Sequence, residues 1–574
     1  MPVKRILFFG ILVLVGVVAF LLYRHLEKKA LNGRLILDDA KLYYVRTLRD
    51  ALKDHPNPEI QSSASLFISA STVNTLLAAA TNSRFEVPNA GHISILIQNL
   101  QAHFSDGFPE VDATVHIDRP NPSISLDASL SAVLEPRLDN TAPNVLQFYL
   151  HPLSLKIGLT NQAVPSQGNE IAGDILSKLA VAYGDLLPHF TFPLSRDFSV
   201  AFPATNVPLP VPTQAGKLNG ELDVPGLSFR TDLSLSGLVF LSDGIHIFTT
   251  AALNNPGKVA NAVLLPFSTG TRPVAHGTAD IDSAITSEES QIASIQDELK
   301  NLGSALRVSD ADLRIWASSN LLTQVVTVFN SLTPDQRRVH FHTISEDGQL
   351  YRAGGGGLGC GGYAELVGGN SASGNLQVGN LASTWKPGQG VVASADFQFA
   401  FDAQVTGHVN GPAGPHPTWV LNCVHLPWPI NKDVCTNLPS VTVSCETPVG
   451  GGVGLGSYGI SGNRTEKLTA AVTLHSDASS WLVYDLSVVA PDQVPITISV
   501  GLGQLGTLGL PFNFSVPHQT LLSGKAPPIF EQAGMVDIPG THTSKKYSLS
   551  VVPTAATVKT EGYEVKATVK VQLQ

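Results

Sequence analysis

The residues whose spacing could support metal chemistry are two histidines separated by one residue. His340 and His342 flank Phe341 and would share one face of a strand, a spacing that can place two ligands on a metal ion. No partner histidine or carboxylate lies at a recognisable spacing, and the H-E-x-x-H motif is missing. The pair is interpreted as a partly exposed surface feature, and the sequence predicts no metal ligand.

Four glycine patterns fit G-x-G-x-x-G; they begin at Gly354, Gly357, Gly454 and Gly501. A dinucleotide site needs such glycines between a strand and a helix, whose N-terminus then meets the pyrophosphate. No helical pattern follows any of the four, and no G-K-[ST] follows either. The stretches are interpreted as turns and close backbone packing, so we expect no cofactor.

One serine lies in glycine-rich surroundings. Ser457 would need a glycine two residues earlier to form a nucleophile elbow, but that residue is Leu455. Acidic residues are scattered, with no pairing that indicates acid–base work. The sequence therefore predicts no catalytic residue, and an anchored hydrolase is the least favoured alternative.

The four cysteines bear on the compartment: Cys360, Cys423, Cys435 and Cys445. No C-x-x-C pair exists, which disfavours a structural zinc site, the alternative reading. An even number without that spacing favours two disulfides, which persist in oxidising compartments. We therefore expect the body of the protein in the periplasm or at the cell exterior.

Composition narrows the class of protein. Among 574 residues, charged residues make up 14% and hydrophobic residues 43%. Serine, threonine, asparagine and glutamine must supply much of the polar surface, which favours β structure. The net charge of −10 offers no electrostatic footprint for nucleic acid.

An apolar run near the N-terminus predicts a membrane anchor. Lys4 and Arg5 precede an uninterrupted apolar stretch over residues 6–23, which as a helix would span about 27 Å, close to the hydrocarbon thickness. A cleaved signal peptide is the alternative, but no A-x-A site follows the run. We expect residues 1–37 to form the anchor and a juxtamembrane segment.

Long alternating patterns predict strands with one buried and one wetted face. Such alternation runs through residues 123–134, 391–405 and 563–573. Fifteen residues of strand extend about 50 Å. The fold class is therefore α+β and mainly antiparallel β, with a large curled sheet.

Helical patterns are few. Apolar residues at three-and-four spacing predict a helix after the anchor, another over residues 169–187 and a third over 285–306. The sequences following the first and third helices also correspond. Leu66 begins L-x-I-x-A-S-T and Leu313 begins L-x-I-x-A-S-S, each followed by an apolar helix and long strands. We infer two related sheet-plus-helix modules, residues 38–280 and 281–574, the second with Gly-rich and Cys-containing loops; a single irregular β domain is the alternative.

The short strand Leu66–Ala70, the helix start at Ser71, the alternating strands and helix 169–187 resemble the tubular lipid-binding (TULIP) superfamily. That group includes bactericidal/permeability-increasing protein and small bacterial lipoproteins. The resemblance covers nearly all of the chain after the anchor, in pattern and order. AsmA-like envelope proteins, also anchored and β-rich, are a looser alternative.

The resemblance implies a long curved sheet around a helix, with an apolar groove for acyl chains. On this reading, two helix faces line such grooves: Ile175, Leu179 and Tyr183, and Val325, Val326 and Phe329. The alternative is that these six residues are ordinary core. The function expected is a non-catalytic envelope protein that binds or transfers lipid or another apolar ligand. The alternative function is a scaffold that binds other envelope proteins through its β surfaces and the Cys423–Cys445 loop region.

Overall fold

The computed structural model describes residues 34–35, 37–86, 92–120, 123–138, 145–157, 189–193, 197–212, 217–252, 280–343, 348–354, 363–368, 373–410, 419–421, 424–426, 432–434, 441–443, 453–478, 480–490, 493–501, 507–515, 520–526, 533–538 and 543–573. No helix in these ranges is long and apolar enough to cross a membrane. The predicted anchor, residues 6–23, lies outside them.

The described part of the chain has five α-helices: α1 over residues 37–54, α2 (Pro58–Gln61), α3 (Ala70–Leu77), α4 (Ile281–Leu302) and α5 (Ser319–Ser331). Single 3-10 turns cover Ala78–Ala80 and Asp335–Arg337. Helices α1 and α4 confirm two of the three predicted helices; the third, over 169–187, lies outside the described residues.

Helix α4 shows why the three-and-four spacing is predictive. Asp280 caps its start by accepting a hydrogen bond from the Ser283 backbone N–H at 3.2 Å, and Gly303 follows its last residue. Its apolar stripe is buried against α1 and the strands beneath. Helices α1 and α4 lie side by side, with Lys53 Nζ 2.7 Å from a carboxylate oxygen of Glu298.

The strands of the chain before residue 280 are β1 (Ala64–Ser69), β2 (Arg84–Glu86), β3 (Ser94–Ser105), β4 (Phe108–Pro120), β5 (Ser123–Leu138), β6 (Val145–Ile157), β7 (His189–Pro193), β8 (Asp197–Phe202), β9 (Thr205–Pro212), β10 (Lys217–Val224), β11 (Leu227–Leu241) and β12 (Gly244–Ala252).

The strands after residue 280 are β13 (Leu313–Ser318), β14 (Arg338–Thr343), β15 (Gly348–Gly354), β16 (Tyr363–Gly368), β17 (Ser373–Val378), β18 (Ala382–Lys386), β19 (Gly390–Asn410), β20 (Trp419–Leu421), β21 (Val424–Leu426), β22 (Lys432–Val434), β23 (Val441–Val443), β24 (Val453–Asp477), β25 (Ser480–Ala490), β26 (Gln493–Gly501), β27 (Thr507–Ser515), β28 (Thr520–Ala526), β29 (Ala533–Ile538), β30 (Thr543–Val558) and β31 (Gly562–Leu573).

The fold is mainly antiparallel β, as predicted, and one sheet contains 27 of these strands. Its main path runs β2-β3-β4-β5-β6-β7-β29-β30-β31-β13-β1-β12-β11-β8-β28-β25-β24-β19. Strands β16, β17 and β18 also pair with β19, and β17 leads through β14 to β10 and β9. The predicted long strands are present, since β19 has 21 residues and β24 has 25.

Strands from the two predicted modules share this sheet. Strand β7 pairs with β29, and β8 pairs with β28. Each half of the sheet therefore combines early and late parts of the chain. The division into two sheet-plus-helix modules, residues 38–280 and 281–574, stays a prediction, and the hydrogen-bonded sheet crosses the boundary between them.

At the middle of the path, β1 and β13 pair with Leu66 opposite Ile315. The surroundings of the two strands correspond. The Ser69 backbone N–H donates to Asp312 O and the Ser318 N–H to Ser63 O, both at 2.8 Å. This local two-fold relation extends to the neighbouring hairpins.

The hairpins β11–β12 and β30–β31 carry bulges at equivalent positions. Ser236 and Thr554 are the unpaired residues, and each lies eight positions before the glycine that begins the next strand, Gly244 and Gly562. A bulge bends and twists a strand locally. The two hairpins therefore bend at the same place relative to β1 and β13.

The sequence alignment of the two short strands was wrong by two residues. It matched Ser71 with Ser318, but β1 ends at Ser69 and α3 begins at Ala70. The hydroxyl of Ser69 accepts from the Thr72 N–H at 3.2 Å, as that of Ser318 accepts from the Leu321 N–H at 3.1 Å. Ser71 has a hydroxyl too, but its backbone is already helical, so it cannot serve as the cap.

Candidate functional site

The predicted groove-lining residues fall mostly outside the described structure. Ile175, Leu179 and Tyr183 lie beyond the described ranges, as does the side chain of Val325. Val326 and Phe329 are half-buried on α5. Their role as groove lining stays a prediction. The four cysteines, Cys360, Cys423, Cys435 and Cys445, also lie outside the described residues.

An apolar cavity lies beneath α3, where early and late strands converge. Helix α3 is fixed above β3 because the Asn74 side chain binds both backbone groups of Ala102, at 2.6 and 3.1 Å. The cavity walls come from β1, α3, β5, β6, β12 and β30: Ile68, Val73, Leu76, Leu77, Leu134, Phe148, Ile245 and Tyr547. The exposed wall is entirely apolar.

Tyr547 is the one wall residue with a polar group, and that group is satisfied. Its hydroxyl donates to the Thr191 carbonyl at 2.8 Å, and burial raises the pKa of the phenol. Gly534 makes room for it, since a Cβ there would lie 2.2 Å from the hydroxyl oxygen. The part of Tyr547 that lines the cavity is therefore its apolar ring.

The cavity is small. Its volume is about 30 Å³, and a second cavity of about 30 Å³ lies between α1, the β3–β4 turn, β5 and β11, lined partly by Tyr43, Leu48 and Phe240. A single water molecule needs a cavity of roughly 10–15 Å³ on the same volume scale. Neither cavity holds an acyl chain in the described conformation.

A serine, a histidine and an aspartate meet on the outer face of β4 and β5. His116 Nε2 lies 2.9 Å from Ser125 Oγ, and His116 Nδ1 lies 2.6 Å from Asp127 Oδ1. The order of contacts is that of a serine hydrolase triad. The three residues belong to two strands and no local motif surrounds them, so the sequence alone does not predict that they meet.

The surroundings of His116 argue against catalysis. Asp118 Oδ1 also lies 3.2 Å from Nε2, and the hydrogen bond that His116 donates to the Asp127 carboxylate is the main cause that raises the pKa of His116, with burial opposing it. The Nε2 atom, which would have to accept the serine proton, is therefore shared between Ser125 and the Asp118 carboxylate. Ser125 is exposed within a paired strand, and neither cavity described above touches it.

A second histidine lies between two carboxylates on β10 and β14. His342 Nδ1 is 3.1 Å from Asp223 Oδ2, and its Nε2 is 3.6 Å from Glu221 Oε2. One ligand atom from each of the three residues lies within 4.8 Å of the other two. The partners of the predicted His340–His342 pair are therefore two carboxylates more than 100 residues earlier in the sequence.

Strand periodicity explains this cluster. Glu221 and Asp223 share a face of β10, and they lie directly opposite His342 and His340 of β14. The signal available in the sequence was E-x-D in one strand and H-x-H in another. Only the pairing of β10 with β14 shows that the two belong together.

The remaining motifs carry no site. Ser457 lies inside β24 opposite Thr406, so no strand-to-helix elbow forms there. The glycines beginning at Gly454 also lie in β24, beside a register shift, so no turn forms there, and close backbone packing stays the interpretation. Gly354 and Gly501 end strands β15 and β26, and no described helix follows either glycine directly.

Comparisons with known proteins identify no family for this chain. No family model matches the sequence, and no curated protein is similar to it. Among solved structures, P47 from Clostridium botulinum A2 is similar at a TM-score of 0.25 and 9% identity, over 89% of this chain and 98% of that chain. Lipopolysaccharide binding protein is similar at a TM-score of 0.19 and 8% identity, over 89% of this chain and 99% of that chain. Scores of this size do not establish a shared fold.

Proposed function

We propose that this chain is a non-catalytic envelope protein that binds lipid or another apolar ligand between its sheet and its helices. Residues 6–23 would anchor it to the membrane, with the body in the periplasm or at the cell exterior. The observation that carries the proposal is the wholly apolar cavity beneath α3, to which both halves of the chain contribute.

The inner face of the sheet beside this cavity supports the proposal. Small side chains alternate with larger ones there, including Ala113 on β4 and Ala128 and Ala132 on β5, all buried. Small residues on a buried face leave depth above the sheet for another group. Each methylene buried in such surroundings gains about 0.8 kcal/mol.

Entry of an acyl chain requires α3 to move, because the present cavity is too small for one. Helix α3 has only eight residues, and its polar attachments to the sheet are few. The hydrogen bonds of Asn74 with Ala102 hold its middle, and the Ser69 cap holds its start. Displacing this helix would open the space between β1, β5 and β12.

The small cavity volume favours a second candidate, a scaffold without a ligand. In that case the apolar residues beneath α3 are ordinary core, and the outer β surfaces with the Cys423–Cys445 loop region bind other envelope proteins. The two candidates differ in whether the region beneath α3 takes up a guest molecule.

A binding titration with a fluorescent fatty acid separates the candidates. Leu134→Ala enlarges the cavity beneath α3, and room for one more methylene should tighten binding about fourfold. Leu52→Ala removes an equally buried leucine from the α1–α4 cluster and should leave affinity unchanged. Absence of saturable binding, or the same affinity in both variants, would favour the scaffold.

A further inference from the structure

We propose that Glu221, Asp223, His340 and His342 form a binding site for a divalent transition metal ion of the zinc class. The site lies where β10 pairs with β14, outside the cavity beneath α3. It does not depend on the proposed lipid binding.

The backbone brings the four side chains together. In an antiparallel pair, side chains directly opposite have Cβ atoms about 4.5–5.5 Å apart. Glu221 is opposite His342 and Asp223 is opposite His340, so two acid–imidazole pairs lie side by side on one face. Strand pairing therefore places the four side chains on one face, and ligand atoms of three of them, Glu221, Asp223 and His342, lie within 4.8 Å of one another.

The donor distances suit a tetrahedral ion. Zinc bonds of roughly 2.0–2.2 Å to nitrogen and oxygen imply ligand atoms about 3.3–3.5 Å apart. The Asp223–His342 distance is 3.1 Å, and the atoms of the triad that includes Glu221 lie within 4.8 Å. The side chains of Glu221, Asp223 and His342 are half-buried, so they have room to rotate toward an ion.

His340 is placed to complete the set. It is exposed, and its imidazole makes no side-chain hydrogen bond within the described part of the chain, although its backbone lies in the paired strand β14. Imidazole binds a metal ion in its neutral form, so two carboxylates and two imidazoles acting as ligands would carry a charge of about −2, which a divalent cation would neutralise. Imidazole donors favour zinc-class ions over magnesium and calcium, which prefer oxygen.

The His116 cluster provides a matched comparison. His116 also lies between two carboxylates, Asp118 and Asp127, across paired strands. No second histidine accompanies it: its neighbours at two-residue spacing on β4 are Thr114 and Asp118. Both clusters therefore have a carboxylate–histidine contact on a strand face. Only the cluster on β10 and β14 has a second histidine at two-residue spacing on the same strand.

The test is calorimetric titration of the full-length protein after chelator treatment, with zinc chloride and separately with magnesium chloride. We expect one zinc ion per chain, no magnesium binding, and at least a tenfold loss of zinc affinity in His342→Gln and Asp223→Asn. His116→Gln should bind zinc as the parent does. Cobalt(II) should give a visible absorption band of a four-coordinate site that His340→Gln weakens.

Several results would overturn the proposal. The first two are absence of zinc binding, and equal zinc affinity in His342→Gln and the parent. The others are a loss of zinc affinity in His116→Gln as large as in His342→Gln, and zinc binding that is abolished by alkylation of the four cysteines. The unfolding midpoint of the metal-free variants, which should equal that of the parent, excludes loss of fold as the cause.

Discussion

Two glycines lie where β1 and β13 approach the neighbouring hairpins most closely. A Cβ on Gly244 would lie 2.1 Å from the Ile68 carbonyl oxygen, and a Cβ on Gly562 would lie 2.3 Å from the Ala317 oxygen. Both oxygens belong to backbone, so neither can turn away. These glycines fix how tightly the two central strands pack against β12 and β31.

Substitution of either glycine by alanine should therefore be costly. We expect Gly244→Ala and Gly562→Ala each to destabilise the fold by about 3 kcal/mol, as overpacking does. Gly388→Ala is the control: Gly388 has a φ of +75° but no atom within 4 Å of its Cβ position, so only about 1 kcal/mol of backbone strain is expected. Urea denaturation midpoints measure the three; equal losses would contradict the steric account.

Asp38 on α1 is a buried carboxylate without full compensation. Its Oδ2 accepts no hydrogen bond from the described residues, and the nearest cation, Arg34 Nε, is 3.9 Å away. Burial, followed by the negative charge of Glu289, raises the pKa of Asp38 from 3.8 to about 6. Between these two values the folded state keeps a proton that the unfolded state has lost, so stability falls as pH rises through this window.

Asp38→Asn should remove that pH dependence. At pH 7 the variant should be more stable than the parent by about 1–2 kcal/mol, a value reduced from the full shift because the site is partly solvated. Near pH 3 the difference should vanish, because the aspartate is then protonated in both states. Unfolding midpoints at the two pH values test this, and a variant less stable than the parent at pH 7 would show that the charge stabilises α1.

At the scale of elements, both central strands run directly into a helix through a serine. Ser69 caps α3 and Ser318 caps α5, and both serines are buried. Each hydroxyl satisfies a backbone N–H that the helix leaves unpaired. The caps thereby fix the point at which β1 and β13 turn away from the sheet.

Ser69→Ala and Ser318→Ala should each cost about 1 kcal/mol. Thr327→Ala, at an exposed position on α5, should change stability by less than about 0.5 kcal/mol. Thermal unfolding compares the three variants. If Ser318→Ala behaved like Thr327→Ala, the cap hydrogen bond would contribute nothing to stability.

Local elements could be predicted because their patterns depend on neighbours in sequence. The stripe of Ile285, Ile292 and Leu299 predicts α4, and the alternation from Val391 predicts β19. The pairing of β7 with β29 could not be predicted, since no local pattern specifies a partner several hundred residues away. The same limit hid Glu221 and Asp223 from the analysis of His342.

At the scale of the whole molecule, Arg314 joins early and late parts of the chain. It lies in β13, buried, with Nη2 2.6 Å from Glu59 of the short helix α2 and Nη1 3.6 Å from Glu564 of β31. Removal of the cation would leave the poorly solvated Glu59 carboxylate without a cation among the described residues, whereas Glu564 keeps Lys559 at 2.7 Å. Such pairs are costly to break from one side.

Arg314→Met should destabilise the protein by about 3 kcal/mol. Lys53→Met is the control, since Lys53 also contacts the later half of the chain, at Glu298, but in an exposed pair that should contribute little. Guanidinium denaturation compares the two. A loss in Lys53→Met equal to that in Arg314→Met would show that burial of the pair is unimportant.

The central claim, a guest molecule beneath α3, is tested most directly by native mass spectrometry of the full-length protein purified in detergent from its own host. The parent should carry a lipid adduct that persists through detergent exchange, and Val73→Trp, which overfills the cavity from α3, should lose it while still unfolding cooperatively at a midpoint lowered by overpacking. An adduct of equal occupancy in both proteins, or none in the parent, would contradict the claim.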